Sequence, residues 1–274
     1  MPDIRLVATD IDGSLANDER EIPPYTRRVL LALIARKIPV VVVTGLNPWP
    51  ARRYVEQIDP NVIAVIQNGI FVQEQGRCSE RRMVDAVAAH EAVTLMLERG
   101  YVPLVYGADD VTRYLPLPDG MTMVTPLIAG RPFQPYQPVD TPEALWAVPP
   151  VQVSICDTEQ RARALHPLLV DALGHRAHIV LQPLPGRESW VEVCHPEARK
   201  AVALLALAAR LGIAAADMIY FGDSLNDLEV MRAVGYPVAM GNALPEIKAV
   251  AWRVAPTNHE EGVARVLAEL FRIE

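Results

Sequence analysis

The stretch T-D-I-D-G-S-L, Thr9–Leu15, directly follows the mostly apolar run Ile4–Ala8 near the start of the chain. Two carboxylates, one residue apart, therefore stand where a buried strand should end. Residues i and i+2 of an extended chain share a face, so Asp10 and Asp12 are expected to point to the same side while Ile11 turns back into the core. The stretch predicts a polar site at the end of the first strand.

The sequence around this stretch alternates short β-branched runs with longer helical patterns, which is typical of βαβ units and a mostly parallel sheet. Pro39–Thr44 and Val62–Ile66 predict strands buried on both faces. Pro24–Lys37 lies before the first of these and carries apolar residues at helical spacing. Much later, a strand over Met218–Phe221 runs straight into G-D-S-L-N-D, Gly222–Asp227. The predicted fold class is α/β, with a Rossmann-like core built on a mostly parallel sheet.

The sequence pattern changes in the middle of the chain. Asp85–Arg99 predicts an amphipathic helix, whereas Tyr101–Pro150 is crowded with prolines and short strand-like pieces such as P-L-V-Y and M-T-M-V-T. Because the βαβ pattern resumes cleanly afterwards, we predict an inserted α/β domain over residues 83–187. The core is then formed by residues 1–82 and 188–274.

The remaining predicted elements complete both domains. In the insert they are a strand over Val151–Cys156, a helix over Thr158–Leu173 and a strand over His178–Leu181. In the core they are a tight turn at Asn68-Gly69 into a hairpin ending near Arg82, strands over Trp190–Cys194, Tyr236–Met240 and Trp252–Ala255, and helices over Pro196–Leu211, from Leu244 and from Glu261.

The composition excludes several classes of function. The formal net charge is −7 and the arginines are scattered without an extended basic stripe, so a nucleic-acid partner is not expected. No segment approaches the roughly 18 apolar residues of a spanning helix, so a membrane partner is not expected either. The three cysteines form no C-x-x-C pair and no even-numbered framework, which favours a reducing, cytoplasmic location.

Acidic residues follow two of the predicted buried strands. Asp10 and Asp12 come after the first strand, and Asp223 and Asp227 come after the strand that ends at Phe221. In open α/β sheets, ligands bind outside the carboxyl ends of the strands, so these side chains are expected to gather there. Carboxylates without companion His or Cys favour a hard cation, and Mg²⁺ is commonly held by such groups together with water and phosphate.

Two further positions predict a phosphate site at the same edge. Thr44 ends the V-V-V-V strand and is followed by Gly45, so its hydroxyl and nearby backbone N–H groups can donate to phosphate oxygens. Lys200 falls in the first turn of a predicted helix, where a cation opposes the helix dipole at a typical cost of about 0.3–1 kcal/mol. A bound anion is the better explanation for a lysine at that place.

These residues resemble a known set of motifs. D-I-D-G-S-L at Asp10–Leu15, the strand-ending Thr44, Lys200 and G-D-S-L-N-D at Gly222–Asp227 are similar, in order and spacing, to the four motifs of the haloacid dehalogenase superfamily of phosphohydrolases. The size and position of the insert resemble the branch with a C2-type α/β cap, which includes the Cof-type sugar phosphatases. The resemblance covers the core at both ends of the chain. One departure is Thr44-Gly45-Leu46, where Cof-type proteins often have T-G-R.

The resemblance implies a role for each motif residue. Asp10 is the nucleophile that becomes an aspartyl phosphate, and Asp12 is the general acid and then the general base. Mg²⁺ is held by the side chain of Asp10, the backbone carbonyl of Asp12 and Asp223. Asp227 is either a further ligand or a partner of the ligands. The transferring phosphoryl group is bound by Thr44, Gly45 and Lys200, and Asn226 orients Lys200 or the phosphate.

The expected function is that of a Mg²⁺-dependent phosphatase acting on a small phosphorylated metabolite, with sugar phosphates or glycosylated phospho-acids as the natural class for this cap. The resemblance also implies that the cap excludes water and selects the leaving group. An alternative is a phosphotransferase of the phosphomannomutase kind, which bisphosphate activation would reveal. A third possibility is a non-catalytic phosphate or Mg²⁺ binding module, which measurable turnover would exclude.

Overall fold

A computed structural model describes residues 3–117, 121–130, 134–183 and 188–273. The chain divides into two compact units. The first, the core unit, comprises Met1–Arg81 together with Arg199–Glu274, and the second, the insert unit, comprises Arg82–Ala198.

The core unit is built on one sheet with strand order β14-β13-β12-β1-β2-β3-β4-β5. Its strands are β1 (Leu6–Thr9), β2 (Val40–Val43), β3 (Ile63–Ile66), β4 (Phe71–Glu74), β5 (Arg77–Arg81), β12 (Met218–Gly222), β13 (Tyr236–Ala239) and β14 (Arg253–Val254). From β14 to β3 the neighbours are parallel, and β4 and β5 are antiparallel. The α/β class predicted from the sequence is confirmed.

The central strands are almost entirely apolar because both faces of the sheet are covered. Every residue of β1, β2 and β12 is buried. The helices of the core unit are α1 (Pro24–Ala35), α2 (Pro48–Ile58), α6 (Lys200–Arg210), α7 (Leu228–Ala233), α8 (Pro245–Lys248) and α9 (Gly262–Phe271). They pack in two groups, with α1 against α2 and α9, and with α7 against α6 and α8.

The insert unit has a second sheet of strand order β10-β11-β9-β6-β7-β8. Its strands are β6 (Leu104–Gly107), β7 (Thr112–Tyr114), β8 (Tyr136–Pro138), β9 (Pro150–Thr158), β10 (His178–Pro183) and β11 (Glu188–Cys194), and its helices are α3 (Ala86–Glu98), α4 (Met121–Ala129) and α5 (Glu159–Leu173). Helices α3 and α5 cover Val105, Val153 and Val193 of the sheet, whereas α4 packs near Leu104, Cys156 and Trp190.

The structure differs from the sequence-based predictions at three places. The predicted core begins again at residue 188, but β11 pairs with β9 and β10, so the insert unit extends to Ala198. The M-T-M-V-T segment is part of helix α4 rather than a strand, because it covers an apolar patch of the insert sheet. Helix α2 was not predicted. Its Pro48 occupies the first turn, where a missing N–H has no cost, so the proline marks a helix start.

Other predicted elements agree with the structure to within a few residues. The hairpin that ends near Arg82 is β4–β5, and its turn residues Gln75 and Gly76 both have positive φ, as hairpin turns require. The helix predicted from Leu244 is the four-residue α8. Across the described part of the chain, no helix is long and apolar enough to cross a membrane.

Candidate active site

The two acidic motifs meet because β1 and β12 are parallel neighbours. Thr9 pairs with Phe221, and the backbone N–H of Asp10 donates to the carbonyl of Phe221 at 2.9 Å. Asp10 and Asp223 therefore leave the sheet side by side at its carboxyl edge. This is the edge at which open α/β sheets bind ligands.

Three carboxylates form one cluster at this edge. Asp10, Asp223 and Asp227 each offer an oxygen, and these oxygens lie within 4.8 Å of one another. Burial raises the pKa of Asp10 well above its usual value, and the other two carboxylates add to the rise. Burial first, and then Asp227, raise the pKa of Asp223 to about 6. The cluster concentrates negative charge that a cation must offset.

Lys200 supplies part of that compensation from the start of α6. Its side chain is buried, and Nζ lies 3.1 Å from Asp10 Oδ1 and 2.9 Å from Asp227 Oδ1. Burial lowers the pKa of Lys200, but the two carboxylates outweigh burial and raise it above its usual value. The ammonium therefore stays charged beside Asp10, where the sequence predicts the phosphoryl group.

Asp227 is fully buried and both of its oxygens already accept hydrogen bonds. Oδ1 accepts from Lys200 and from the Tyr220 hydroxyl at 2.6 Å, and Oδ2 accepts from the backbone N–H groups of Asp223 and Ser224 at 3.1 and 3.2 Å. Of the two roles expected for Asp227, these contacts favour that of a positioning residue. It fixes Lys200 and shapes the loop that carries Asp223.

The two carboxylate oxygens of Asp10 differ, because Oδ1 accepts hydrogen bonds and Oδ2 is open to a ligand. Oδ1 accepts from the backbone N–H of Ile11 at 2.8 Å as well as from Lys200. No hydrogen bond from a described residue reaches Oδ2. The chain then turns over Ile11–Leu15, where the N–H of Ala16 donates to the carbonyl of Ile11 at 2.9 Å, and Ile11 is buried, as the sequence predicted.

Asp12 is exposed at this turn. Desolvation of its carboxyl by the surrounding protein raises the pKa, and Arg20 and then Lys200 oppose that rise. A carboxyl with a raised pKa holds a proton more readily near neutral pH, which suits a general acid.

Gly13 lies in direct contact with Asp223. Its φ is +75°, and a Cβ there would stand 2.4 Å from Asp223 Oδ2. The Ser14 hydroxyl contacts Asp223 Oδ1 at 3.5 Å. Only glycine allows the first motif to approach the second so closely.

The phosphate-binding residues expected from the sequence lie at the same edge. Thr44 is buried at the end of β2, and its hydroxyl accepts from the N–H of Leu46 at 3.0 Å, which leaves the hydroxyl proton to donate. Gly45 follows it. Asn226 is exposed and its Oδ1 accepts from the Ser224 hydroxyl at 2.7 Å. Lys200 is hydrogen-bonded to Asp227, and the role of Asn226 in orienting Lys200 or the phosphate stays a prediction.

The residues present fit a divalent cation. The donor set is oxygen only, the Asp223 carboxyl is partly exposed, and its accepted bond from Ser14 is long. The Asp223 carboxyl is thus available to a hard cation beside Asp10, whereas both oxygens of Asp227 already accept hydrogen bonds. Mg²⁺ is the ion that such a set of carboxylates and phosphate oxygens commonly binds.

The comparison with known proteins assigns the chain to a family. The sequence model of the haloacid dehalogenase-like hydrolases matches residues 7–267. The chain belongs to the haloacid dehalogenase-like hydrolase family. This confirms the resemblance drawn from the motifs.

Relatives of this haloacid dehalogenase-like hydrolase match it end to end. The 5-amino-6-(5-phospho-D-ribitylamino)uracil phosphatase YitU of Bacillus subtilis is 27% identical, with 98% of each chain covered. Phosphatase YwpJ of the same organism is 25% identical over 98% of this chain and 100% of its own. A haloacid dehalogenase-like hydrolase from Bacteroides thetaiotaomicron shares the fold with a TM-score of 0.84 at 19% identity, covering 98% of this chain and 100% of that one.

Two residues of the hydrolase site were missed in the sequence. Tyr220 bonds Asp227 from within β12, where an aromatic residue in an apolar run reads as core. Asn242 donates to the carbonyl of Gly13 at 2.7 Å, and its Oδ1 accepts from the N–H of Asn258. The sequence could have indicated Asn242, since this polar residue follows β13 at the carboxyl edge of the sheet, just as Asp10 follows β1.

Proposed function

We propose that this protein is a Mg²⁺-dependent phosphomonoester phosphatase in which Asp10 is transiently phosphorylated. The observation that carries the proposal is the pair formed by Asp10 and Lys200, a carboxylate with one open oxygen beside a buried, charged ammonium. A nucleophile and a cation for the phosphoryl oxygens are thereby placed together at the ligand-binding edge of the sheet.

In the proposed first step, Asp10 Oδ2 attacks phosphorus in line as the bond to the leaving oxygen breaks. Asp12 gives its proton to that oxygen, so the product leaves as a neutral alcohol. Lys200 and Thr44 hold the phosphoryl oxygens, whose charge otherwise repels the nucleophile. Mg²⁺, held by Asp10, the Asp12 carbonyl and Asp223, supplies further charge neutralisation when bound.

In the second step, the Asp12 carboxylate takes a proton from water, and the water oxygen attacks phosphorus. The bond between phosphorus and Asp10 breaks, which releases inorganic phosphate and restores both carboxyl groups. Asp12 thus alternates between acid and base. Its raised pKa supports the first of these roles.

Asp10→Asn tests the proposal on p-nitrophenyl phosphate. The wild type should release phosphate with Mg²⁺ and lose that activity in excess EDTA, and Asp10→Asn should be slower by at least about 10³-fold, since the nucleophile is gone. Asp171→Asn, an exposed Asp on α5, is the matched control and should behave as wild type. Full activity in Asp10→Asn would overturn the assignment of the nucleophile.

The substrate class is proposed as small phosphorylated metabolites, with sugar phosphates and related phosphorylated polyols first. YitU is named for a phosphoribityl substrate, so that compound belongs in a screen with hexose phosphates and glycosylated phospho-acids. Rate enhancement by a sugar bisphosphate in the same screen would favour phosphoryl transfer between sugars instead. Selectivity of at least tenfold for one compound in kcat/KM would name the class.

A further inference from the structure

An unusual turn joins β3 to β4 at the carboxyl edge of the core sheet. Gln67, Asn68 and Gly69 follow one another with φ of +53°, +52° and +94°. A left-handed backbone is unfavourable for a residue such as Gln67, whereas asparagine and glycine adopt it more readily. Strain of this kind calls for an explanation in what the turn holds in place.

On one side, the turn is bonded to the loop after β2. The N–H of Gln67 donates to the carbonyl of Leu46, and the N–H of Asn68 donates to the carbonyl of Thr44, both at 3.0 Å. The left-handed backbone points these consecutive N–H groups at the loop. The turn thereby holds the backbone of Thr44 in place.

On the other side, the turn contacts the start of α6. A Cβ on Gly69 would lie 2.7 Å from the carbonyl oxygen of Arg199, the residue before Lys200. The turn therefore connects the two elements that carry Thr44 and Lys200. Its central side chain, Asn68, lies between them in sequence and at the same sheet edge.

The amide of Asn68 packs over Gly45. A Cβ on Gly45 would lie 3.1 Å from Asn68 Oδ1 and 3.5 Å from Nδ2. Oδ1 is buried without a hydrogen-bond partner, and among the described residues none accepts from Nδ2. A buried amide oxygen without a partner is destabilising, so Asn68 does not hold its place through side-chain hydrogen bonds. The group that can donate to a ligand is therefore Nδ2, which has no acceptor among the described residues and lies beside Gly45.

We propose that the Asn68 amide donates a hydrogen bond to an oxygen of the substrate phosphoryl group, next to Thr44 and Lys200, and that the left-handed turn holds it there. This inference rests on the proposed phosphatase function and adds a phosphate-binding residue to it. An amide N–H₂ matches a phosphoryl oxygen in hydrogen-bonding character, and a bond to a charged acceptor is stronger than a neutral one.

The decisive variant is Asn68→Gly, because glycine adopts the left-handed backbone without strain and removes only the amide. Asn68→Gly should keep the wild-type Tm or exceed it. Its Kd for inorganic phosphate, measured by calorimetry with Mg²⁺ present, should rise at least about tenfold. With p-nitrophenyl phosphate, kcat/KM should fall by a similar factor.

Two further variants separate binding from backbone strain. Asn68→Asp keeps a side chain that tolerates positive φ but replaces a donor with a negative charge, so phosphate affinity should fall further than in Asn68→Gly. Gln75→Gly is the matched control, because Gln75 is an exposed residue with φ of +50° in the β4–β5 turn. It relieves the same strain and should leave phosphate affinity unchanged.

Wild-type phosphate affinity in Asn68→Gly would overturn the inference and leave the turn a purely structural device. Failure of the proposed function gives a different result, a wild type that releases no phosphate from any ester. In that case the calorimetric comparison of wild type with Asn68→Gly still decides whether Asn68 binds phosphate.

Discussion

Asp223 and Asp227 are four residues apart in one loop, yet their carboxylates differ in burial and in hydrogen bonding. Asp227 is fully buried, and its two oxygens accept hydrogen bonds from Lys200, the Tyr220 hydroxyl and two backbone N–H groups. Asp223 is partly exposed, has one long contact from Ser14, and its pKa is raised to about 6. A satisfied carboxylate holds the protein together, whereas an unsatisfied one is available to a ligand.

Alanine substitution at the two positions tests this contrast most strongly. Asp227→Ala leaves Lys200 buried with one partner lost and also orphans Tyr220, so the free energy of unfolding should fall by about 3–5 kcal/mol. Asp223→Ala removes a carboxylate that burial and Asp227 destabilise, and stability should change by less than about 1 kcal/mol or rise. Urea midpoints of both variants, measured in EDTA at neutral pH, provide the comparison. Equal losses would show that the two carboxylates do not divide the roles in this way.

The Mg²⁺ response sharpens the same contrast. Between its ordinary pKa of 3.8 and about 6, folded Asp223 keeps a proton that the unfolded chain releases, so the metal-free protein should lose stability as pH rises through this range. A cation must displace that proton. The rise in Tm on adding Mg²⁺ should therefore be small below about pH 6 and full above it.

Asp223→Asn should remove most of the Mg²⁺-induced rise in Tm at every pH, because an amide is a weaker ligand than a carboxylate. Asp171→Asn should keep the wild-type response. Thermal melts over a pH series with and without Mg²⁺ measure both. A wild-type Mg²⁺ response in Asp223→Asn would place the cation elsewhere.

The sequence located this site because each key residue follows a recognisable buried strand. Asp10, Thr44 and Asp223 come directly after β1, β2 and β12, and parallel strands bring their carboxyl ends to one edge. Lys200 was recognisable because a cation at a helix start is electrostatically misplaced unless an anion is near. Local patterns were therefore enough for these residues.

What the sequence did not reveal depends on contacts between distant segments. Strand β11 has the same apolar character as a core strand, and only its pairing with β9 places it in the insert unit. Tyr220 reads as core until Asp227 is found on its hydroxyl. Asn68 predicts a turn from its N-G pair, but its unpaired amide oxygen is visible only in three dimensions.

Tyr220→Phe tests the hydrogen bonding of Asp227 and is the variant with the smallest expected effect. The variant removes one donor from Asp227 Oδ1, and Lys200 and the backbone N–H groups remain. A hydrogen bond to a charged group is worth about 1.5–3 kcal/mol, and the smaller value is expected because the other donors persist.

Tyr236→Phe is the matched control, since Tyr236 is a half-buried strand residue whose hydroxyl makes no hydrogen bond to the described residues. Urea midpoints should separate the two variants, with kcat for Tyr220→Phe within about tenfold of wild type if Lys200 stays in place. A loss of stability no greater than that of Tyr236→Phe would mean that Asp227 is held by Lys200 and the main chain alone.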